Sequence, residues 1–308
     1  MQNTRMRIAA VAAVVAAAAA IPASGLAGKP IGMVSRVNAD DTNGARYYVS
    51  LGDSYSVGVQ PIGQPPLFET DQGYAHQLYR LLHENDPRLD LVKLGCGGES
   101  TRSMRFGSVD PSEGFSCGPP GFYLHRYPHR TQLAEAVAFL HAHRNHLSLV
   151  TIDIGGNDVL GGGGVPQVEE NLPVILSDLR EAAGPDVPIV GMTYYDPFLA
   201  QIWFTTFDLA ALQEEANSHG FNGVLESIYG SFGDPVAEVD QAFSNNDTTT
   251  QPGGLPLDVQ RLCEWTWICV AGNTPTPQDT ASWHTPSSQL FRDNACSTTI
   301  SNGPASER

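Results

Sequence analysis

The chain has 308 residues, of which 41% are hydrophobic, so it can bury a substantial core in one large domain or two small ones. It carries 17 Lys and Arg against 33 Asp and Glu, which gives a formal net charge of −16. A surface of that charge repels nucleic acid and anionic lipid headgroups, which argues against both as main partners.

Residues 1–27 have the features of a secretory signal peptide. Arg5 and Arg7 precede an apolar run that ends at Ile21, and small residues suited to cleavage follow. This run is too short to span a membrane comfortably. Cleavage after residue 27 removes two Arg and no acidic residue, so the formal charge of the mature chain becomes −18. We expect an exported protein without stable membrane insertion, in which residues 28–45 form a loose leader.

Strand and helix patterns alternate along the rest of the chain. Strands are predicted at Tyr47–Leu51, Leu89–Leu94, Leu147–Ile154, Val187–Thr193 and Val236–Val239. Helices are predicted at Tyr74–Asn85, Thr131–His146, Pro166–Ala183 and Asp208–Tyr229. This alternation predicts an α/β fold with a doubly wound parallel sheet. We expect the domain to occupy residues 46–290 and residues 291–308 to form an irregular tail.

The first strand ends at Gly52-Asp53-Ser54, where Gly and Asp favour a turn. Open parallel sheets bind ligands at the carboxyl ends of their strands, so the hydroxyl of Ser54 is expected to project into such a crevice. An Asp-Ser turn that only satisfies backbone groups is the alternative, and it would be favoured if this motif stood alone.

Two further segments follow strands in the same way. Gly95–Thr101 follows the second strand and contains Gly98, where the absence of a side chain lets a ligand approach the backbone. Gly155–Asp158 follows the third strand and contains Asn157, whose amide can point into the same crevice. Each segment alone is compatible with an ordinary turn, but three such turns at successive strand ends favour a site.

Together with a late His284, these segments resemble the four sequence blocks of the SGNH, or GDSL-type, hydrolases in order and spacing. The resemblance implies a three-layer α/β/α, flavodoxin-like fold and hydrolysis of esters through a Ser acyl-enzyme, with no metal or cofactor. It implies that Ser54 is the nucleophile. The oxyanion donors would then be the backbone N–H groups of Ser54 and Gly98 and the side-chain amide of Asn157.

The last block departs from the family pattern, which usually has Asp three residues before the His. Ala281 occupies that position, and Asp279 lies five residues before His284. A catalytic imidazole needs an acceptor for its second N–H. We therefore expect His284 to be the base, oriented either by Asp279 or by an upstream backbone carbonyl, and we favour the carbonyl.

A rival nucleophile is Ser116, which lies in a G-x-S-x-G pattern at Gly114–Gly118. That pattern forms a nucleophile elbow only between a strand and a helix. Here Pro111 precedes it and Pro119-Pro120 follows it, so the required context is missing.

Five cysteines in an exported chain indicate disulfides with one Cys left over. The pairs predicted are Cys96–Cys117 and Cys263–Cys269, with Cys296 free. Zinc is the competing interpretation, but neither a C-x-x-C pair nor paired His spacing supports it.

The sequence therefore predicts a secreted serine esterase or lipase that acts as a monomer on a small-molecule or lipid ester. Trp203, Phe204 and Phe207 could line an acyl pocket, although core packing is the other role open to them. Two alternatives are a polysaccharide O-deacetylase and a catalytically weak carbohydrate-binding relative, the latter favoured by the imperfect last block.

Overall fold

Five parallel strands form the central sheet. The computed structural model describes residues 44–59, 69–107, 130–211, 220–266 and 268–269. The strands are β1 (Arg46–Gly52), β2 (Leu89–Lys93), β3 (Leu147–Asp153), β4 (Ile189–Met192) and β5 (Val236–Ala237). Their order is β2-β1-β3-β4-β5, and every neighbouring pair is parallel. The order reverses between β1 and β3, which places the ligand crevice of such a sheet beyond the carboxyl ends of those two strands.

Helices connect and flank these strands. They are α1 (Ser54–Val57), α2 (Tyr74–His83), α3 (Thr101–Phe106), α4 (Gln132–Ala142), α5 (Gly156–Leu160), α6 (Gly164–Ala183), α7 (Phe198–Thr206), α8 (Phe221–Ser231), α9 (Val239–Phe243) and α10 (Leu257–Trp265). None of these helices has both the length and the hydrophobicity that a membrane span requires.

The sheet separates two hydrophobic cores. In β1 the side chains of Tyr47, Val49 and Leu51 pack on one face with helices α4, α6 and α8, whereas Tyr48 packs on the other face. The second core includes residues of α2, α7, α9 and α10. Because both faces are covered, the strands are mostly apolar and largely buried. The predicted three-layer α/β/α arrangement is confirmed.

The prediction of one long helix over Asp208–Tyr229 is wrong. Helix α8 begins at Phe221, and Gly220 before it lies outside the helix with φ −65° and ψ 2°. A helix that the sequence did not predict, α7, lies upstream and ends where Phe207 adopts a left-handed conformation, with φ 50°. Apolar residues continue on both sides of Phe207, so periodicity alone did not reveal the end of α7.

Candidate active site

The turn before Ser54 depends on a close approach of two strand ends. Gly52 has a φ of 123°, and a Cβ built on it would lie 1.9 Å from the backbone oxygen of Asp153 at the end of β3. Only glycine fits at that distance with that backbone conformation. The backbone N–H of Asp53 donates to the same Asp153 oxygen over 3.0 Å. Glycine at position 52 therefore allows β1 and β3 to meet directly beneath the turn.

Ser54 is the first residue of α1 and is partly exposed, whereas Asp53 and Ser56 on either side of it are buried. Asp53 caps the helix, since its Oδ1 accepts from the backbone N–H of Tyr55 over 3.0 Å. The Ser56 hydroxyl donates to the backbone oxygen of Asp53 over 2.7 Å. These bonds keep Asp53 and Ser56 inside and leave Ser54 and Tyr55 partly exposed.

Two backbone donors near this turn have no partner in the part of the chain that the structure describes. No acceptor within the described residues is hydrogen-bonded to the N–H of Ser54 or of Gly98. Gly98 lies in the segment Gly95–Ser100 after β2, here named the oxyanion loop after the role that the sequence predicts for Gly98. Its φ of 77° favours glycine. Like Ser54, it is partly exposed. Both N–H groups are thus available to bind a substrate oxygen.

Asn157 lies in the first turn of α5, immediately after β3. Its Nδ2 donates to the backbone oxygen of Glu99 over 2.9 Å. An amide NH₂ has two hydrogens, so one remains for a further acceptor. The structure therefore brings Asn157 against the oxyanion loop, at the residue that follows Gly98.

Asp158 joins α5 to the helix that follows the oxyanion loop. Its carboxylate accepts from the backbone N–H of Thr101 over 2.8 Å and from the Thr101 hydroxyl. It also accepts from Nε2 of Gln167 over 2.7 Å. This carboxylate fixes the position of Asn157 relative to Gly98, and the sequence did not predict that role.

Gln132, the first residue of α4, connects the turn before Ser54 to the oxyanion loop. Its Oε1 accepts from the N–H of Gly52 over 2.7 Å, and its Nε2 donates to the Gly52 oxygen over 2.9 Å. The same Nε2 donates to Oε2 of Glu99 over 3.0 Å. Gln132 is 1% exposed, so these bonds are shielded from water. The sequence offered no local signal for this contact, which joins residues 80 positions apart.

Glu99 is a buried carboxyl group within the oxyanion loop. Burial raises its pKa to about 7, and the negative charges of Asp53 and Asp158 act in the same direction, whereas hydrogen bonds from Ser103 and Gln132 lower it. Within the described residues, no group of three or more His, Cys, Asp or Glu side chains is arranged to hold a metal ion. The acidic groups around the turn are instead connected by hydrogen bonds.

Several predicted residues lie outside the part of the chain that the structure describes, namely His284, Asp279, Ser116, Cys117 and Cys296, and their roles stay predictions. The Cys263–Cys269 disulfide is present. Cys96 is also disulfide-bonded.

The aromatic side chains proposed for an acyl pocket have different environments. Trp203 and Phe204 are partly buried and pack against the second core. Phe207 is 67% exposed at the end of α7. The structure thus gives Trp203 and Phe204 a packing role and leaves Phe207 at the surface.

Comparisons with known proteins place this arrangement in a family. Similar solved structures include the extracellular lipase from Streptomyces rimosus, with 18% identity and a TM-score of 0.39 over 65% of this chain and 82% of that one. Phospholipase A1 from Streptomyces albidoflavus NA297 is 16% identical, with a TM-score of 0.38 over 72% of this chain and 96% of that one. The Clostridium thermocellum family 3 carbohydrate esterase is 19% identical, with a TM-score of 0.34 over 82% of this chain and 99% of that one. No curated protein sequence matches. Residues 50–258, more than half of the chain, match the GDSL-like Lipase/Acylhydrolase family, and the chain belongs to that family.

Proposed function

We propose that this protein is an exported serine hydrolase that cleaves carboxylic esters through an acyl-enzyme on Ser54. The observation that carries the proposal is a partly exposed serine at the end of β1, together with the N–H groups of Ser54 and Gly98, which have no acceptor among the described residues. Donors fixed in this way stabilise the oxyanion that forms when a serine attacks an ester carbonyl.

The reaction requires two acyl transfers. Ser54 Oγ attacks the carbonyl carbon of the ester while the hydroxyl proton passes to a base. The carbonyl oxygen of the ester becomes an oxyanion, which the two N–H groups and the second hydrogen of the Asn157 amide bind. The ester C–O bond then breaks, and the alcohol leaves with the proton. Water attacks the acyl-enzyme in the same way, releasing the carboxylic acid and restoring Ser54.

His284 is the base in this proposal, with an upstream backbone carbonyl accepting from its second N–H. Asp279 is secondary because it lies five residues before the His instead of three. Export rests on the signal peptide predicted at residues 1–27, and we propose that the mature protein acts outside the cell as a monomer.

Exposed apolar side chains on the connections that follow the strands favour an ester with an apolar acyl chain over an acetylated polysaccharide. Phe106, Leu160 and Phe207 are 56%, 62% and 67% exposed. Phe106 and Leu160 end the short helices that follow the oxyanion loop and Asn157, and Phe207 ends the helix that follows β4. All three therefore lie on connections that leave the carboxyl ends of the strands, the edge of the sheet where Ser54 also lies.

Turnover of p-nitrophenyl esters with short and long acyl chains tests the proposal. Ser54→Ala is expected to abolish turnover and keep the fold, whereas Ser116→Ala keeps most activity. The matched control is Ser148→Ala, because the Ser148 hydroxyl in β3 has no hydrogen-bond partner within the described residues. Undiminished turnover by Ser54→Ala would refute the assignment.

The same experiment separates the alternatives. Release of acetate from an acetylated polysaccharide without turnover of long-chain esters would identify a deacetylase. Carbohydrate binding with no ester turnover by the wild-type protein would identify a catalytically weak relative.

A further inference from the structure

Lys93 is a buried cation just before the oxyanion loop. Of the 17 Lys and Arg residues in the chain, only Lys29 and Lys93 are Lys, and Lys93 alone lies in the part that the structure describes. It is the last residue of β2 and is 8% exposed. A buried Lys is rare unless its charge is paired or its hydrogens have acceptors, so its contacts indicate its role. The reaction as proposed above gives Lys93 no part.

The ammonium group of Lys93 is hydrogen-bonded to backbone oxygens of two different segments. Its Nζ donates to the oxygen of Val57 over 2.9 Å and to that of Thr70 over 3.0 Å. Val57 is the last residue of α1, the helix that begins at Ser54, and Thr70 precedes α2. Burial lowers the pKa of Lys93 to about 8, and the negative charge of Asp71 opposes this effect, so the group is mainly protonated at neutral pH and has three N–H donors. Lys93 therefore joins the end of β2 to the end of α1.

The two segments that Lys93 contacts are also in backbone contact with each other. Gly58 follows α1 with a φ of 65°, and a Cβ built on it would lie 2.5 Å from the backbone nitrogen of Gly73, which precedes α2. The backbone N–H of Thr70 donates to the oxygens of Val57 and Gly58 over 3.3 and 3.1 Å. The Thr70 hydroxyl donates to the Gly58 oxygen over 2.7 Å. The exit from α1 and the entry to α2 thus form one packed unit, which Lys93 attaches to the sheet.

The strand that carries Lys93 continues directly into the oxyanion loop, which packs on the same helix. A Cβ built on Gly95 would lie 1.8 Å from the hydroxyl oxygen of Ser56 in α1, so this contact leaves no room for a side chain at position 95. The backbone N–H of Cys96 donates to the oxygen of Gly52, in the turn that leads into α1, over 2.9 Å. These contacts hold the first part of α1 beside the oxyanion loop, and Lys93 holds the end of the helix.

Without the ammonium group the end of α1 would be weakly held. The Val57 oxygen would keep its 3.3 Å bond from the N–H of Thr70, whereas the Thr70 oxygen would keep no bond from a described residue. Helix α1 is four residues long, and a single helical turn is not stable by itself. Its position, and with it that of Ser54, therefore depends on contacts from outside the helix.

We propose that Lys93 is a positioning residue for Ser54: its ammonium group binds the oxygens of Val57 and Thr70 and so fixes α1 against the oxyanion loop. The N–H groups of Ser54 and Gly98 then keep the relative position that allows both to bind one substrate oxygen. The effect on catalysis rests on the proposed function, because it requires Ser54 to be the nucleophile. The anchoring of α1 by Lys93 does not depend on any activity.

Lys93→Met tests this, because methionine is a flexible, unbranched side chain that can fill the site but has no N–H donor. We expect kcat for a p-nitrophenyl ester to fall about 10–100-fold with a smaller change in KM, since a misplacement of about 1 Å can cost about 10²-fold. Val92→Ala is the matched control, because Val92 is the preceding residue of β2, is also buried and packs in the first core. It should lower stability and leave kcat unchanged.

Hydrogen–deuterium exchange tests the anchoring without reference to activity. The N–H groups of Gly58 and Val59 close α1, since they donate to the oxygens of Tyr55 and Ser54 over 3.2 and 2.9 Å. In Lys93→Met these amides should exchange about tenfold faster than in the wild type, or more, because α1 opens locally. In Val92→Ala they should exchange at the wild-type rate. If Lys93→Met does not fold, Lys93→Gln is measured in the same way, since its amide keeps an N–H donor on a side chain that is one bond shorter.

The two measurements together decide the proposal. Faster exchange in α1 and a lower kcat in the Lys93 variant, both absent from Val92→Ala, support it. It is overturned if α1 of the folded Lys93 variant exchanges at the wild-type rate, if exchange rises while kcat stays unchanged, or if Val92→Ala shows the same changes. Absence of esterase activity in the wild type would contradict the proposed function, whereas the exchange rates would still show whether Lys93 anchors α1.

Discussion

Replacing Gln132 with leucine removes three hydrogen bonds that join the turn before Ser54 to the oxyanion loop. A hydrogen bond of this kind contributes about 1 kcal/mol, and a buried donor left without a partner costs about 1–3 kcal/mol. The N–H of Gly52 becomes such a donor, whereas its oxygen still accepts from the N–H of Cys96. The free energy of unfolding should therefore fall by about 2–4 kcal/mol, which a domain with about 5–15 kcal/mol tolerates.

The same substitution should reduce catalysis in the folded protein. Without Gln132, Gly52 and Glu99 are no longer held by a common side chain, so Ser54 and Gly98 can shift relative to each other. Because a misplacement of about 1 Å can cost about 10²-fold, we expect kcat to fall about 10–100-fold with a smaller change in KM.

Urea unfolding and p-nitrophenyl ester kinetics measure the two effects. Gln77→Leu is the matched control, since Gln77 is also buried but lies on α2 and donates to the oxygen of Gln72. It should destabilise by about 1 kcal/mol and leave kcat unchanged. The reasoning is refuted if Gln132→Leu unfolds within about 0.5 kcal/mol of the wild type and keeps its kcat.

Four further substitutions test other parts of the site. Asn157→Ala should lower kcat by about 10²–10³ with a modest change in KM, the cost of one oxyanion donor, and an unchanged kcat would leave Asn157 as a turn former only. Burial raises the pKa of Glu99 to about 7 from an ordinary value of 4.5, so its native state loses stability as the pH rises between these values. Glu99→Gln should remove up to about 3 kcal/mol of this pH-dependent change in the free energy of unfolding, measured with urea. An unaltered pH dependence of unfolding would contradict the raised pKa of Glu99. His284→Ala should abolish ester turnover while Asp279→Asn reduces it less than about tenfold, whereas a loss near 10⁴ in Asp279→Asn would establish a triad.

Ser54, Gly98 and Asn157, which the sequence identified, share one property: each lies a few residues after the end of a strand. Gly and Asp before Ser54, the glycines around Gly98 and those before Asn157 are local signals, and parallel strands bring their carboxyl ends to one edge of the sheet. The fold was predicted from the alternation of strands and helices. The end of α7 was missed because the residue that ends it in a left-handed conformation is Phe207 and not glycine, which would have indicated a helix end.

The residues that support the site were not predictable in this way. Asp153 ends an apolar strand, and its partner Asp53 is 100 positions earlier in the chain. Gln132 begins a helix and contacts a turn 80 positions earlier. A carboxyl residue in an otherwise apolar strand was the one available signal, since such a group is seldom fully buried unless it is paired.

Covalent labelling tests most directly whether Ser54 is the nucleophile. A fluorophosphonate reacts with an activated serine hydroxyl, and mass spectrometry of the digested protein locates the adduct. We predict one adduct on the peptide that contains Ser54, formed by folded protein and absent after Ser54→Ala. An adduct on Ser116 instead, or equal labelling of folded and unfolded protein, would contradict the account.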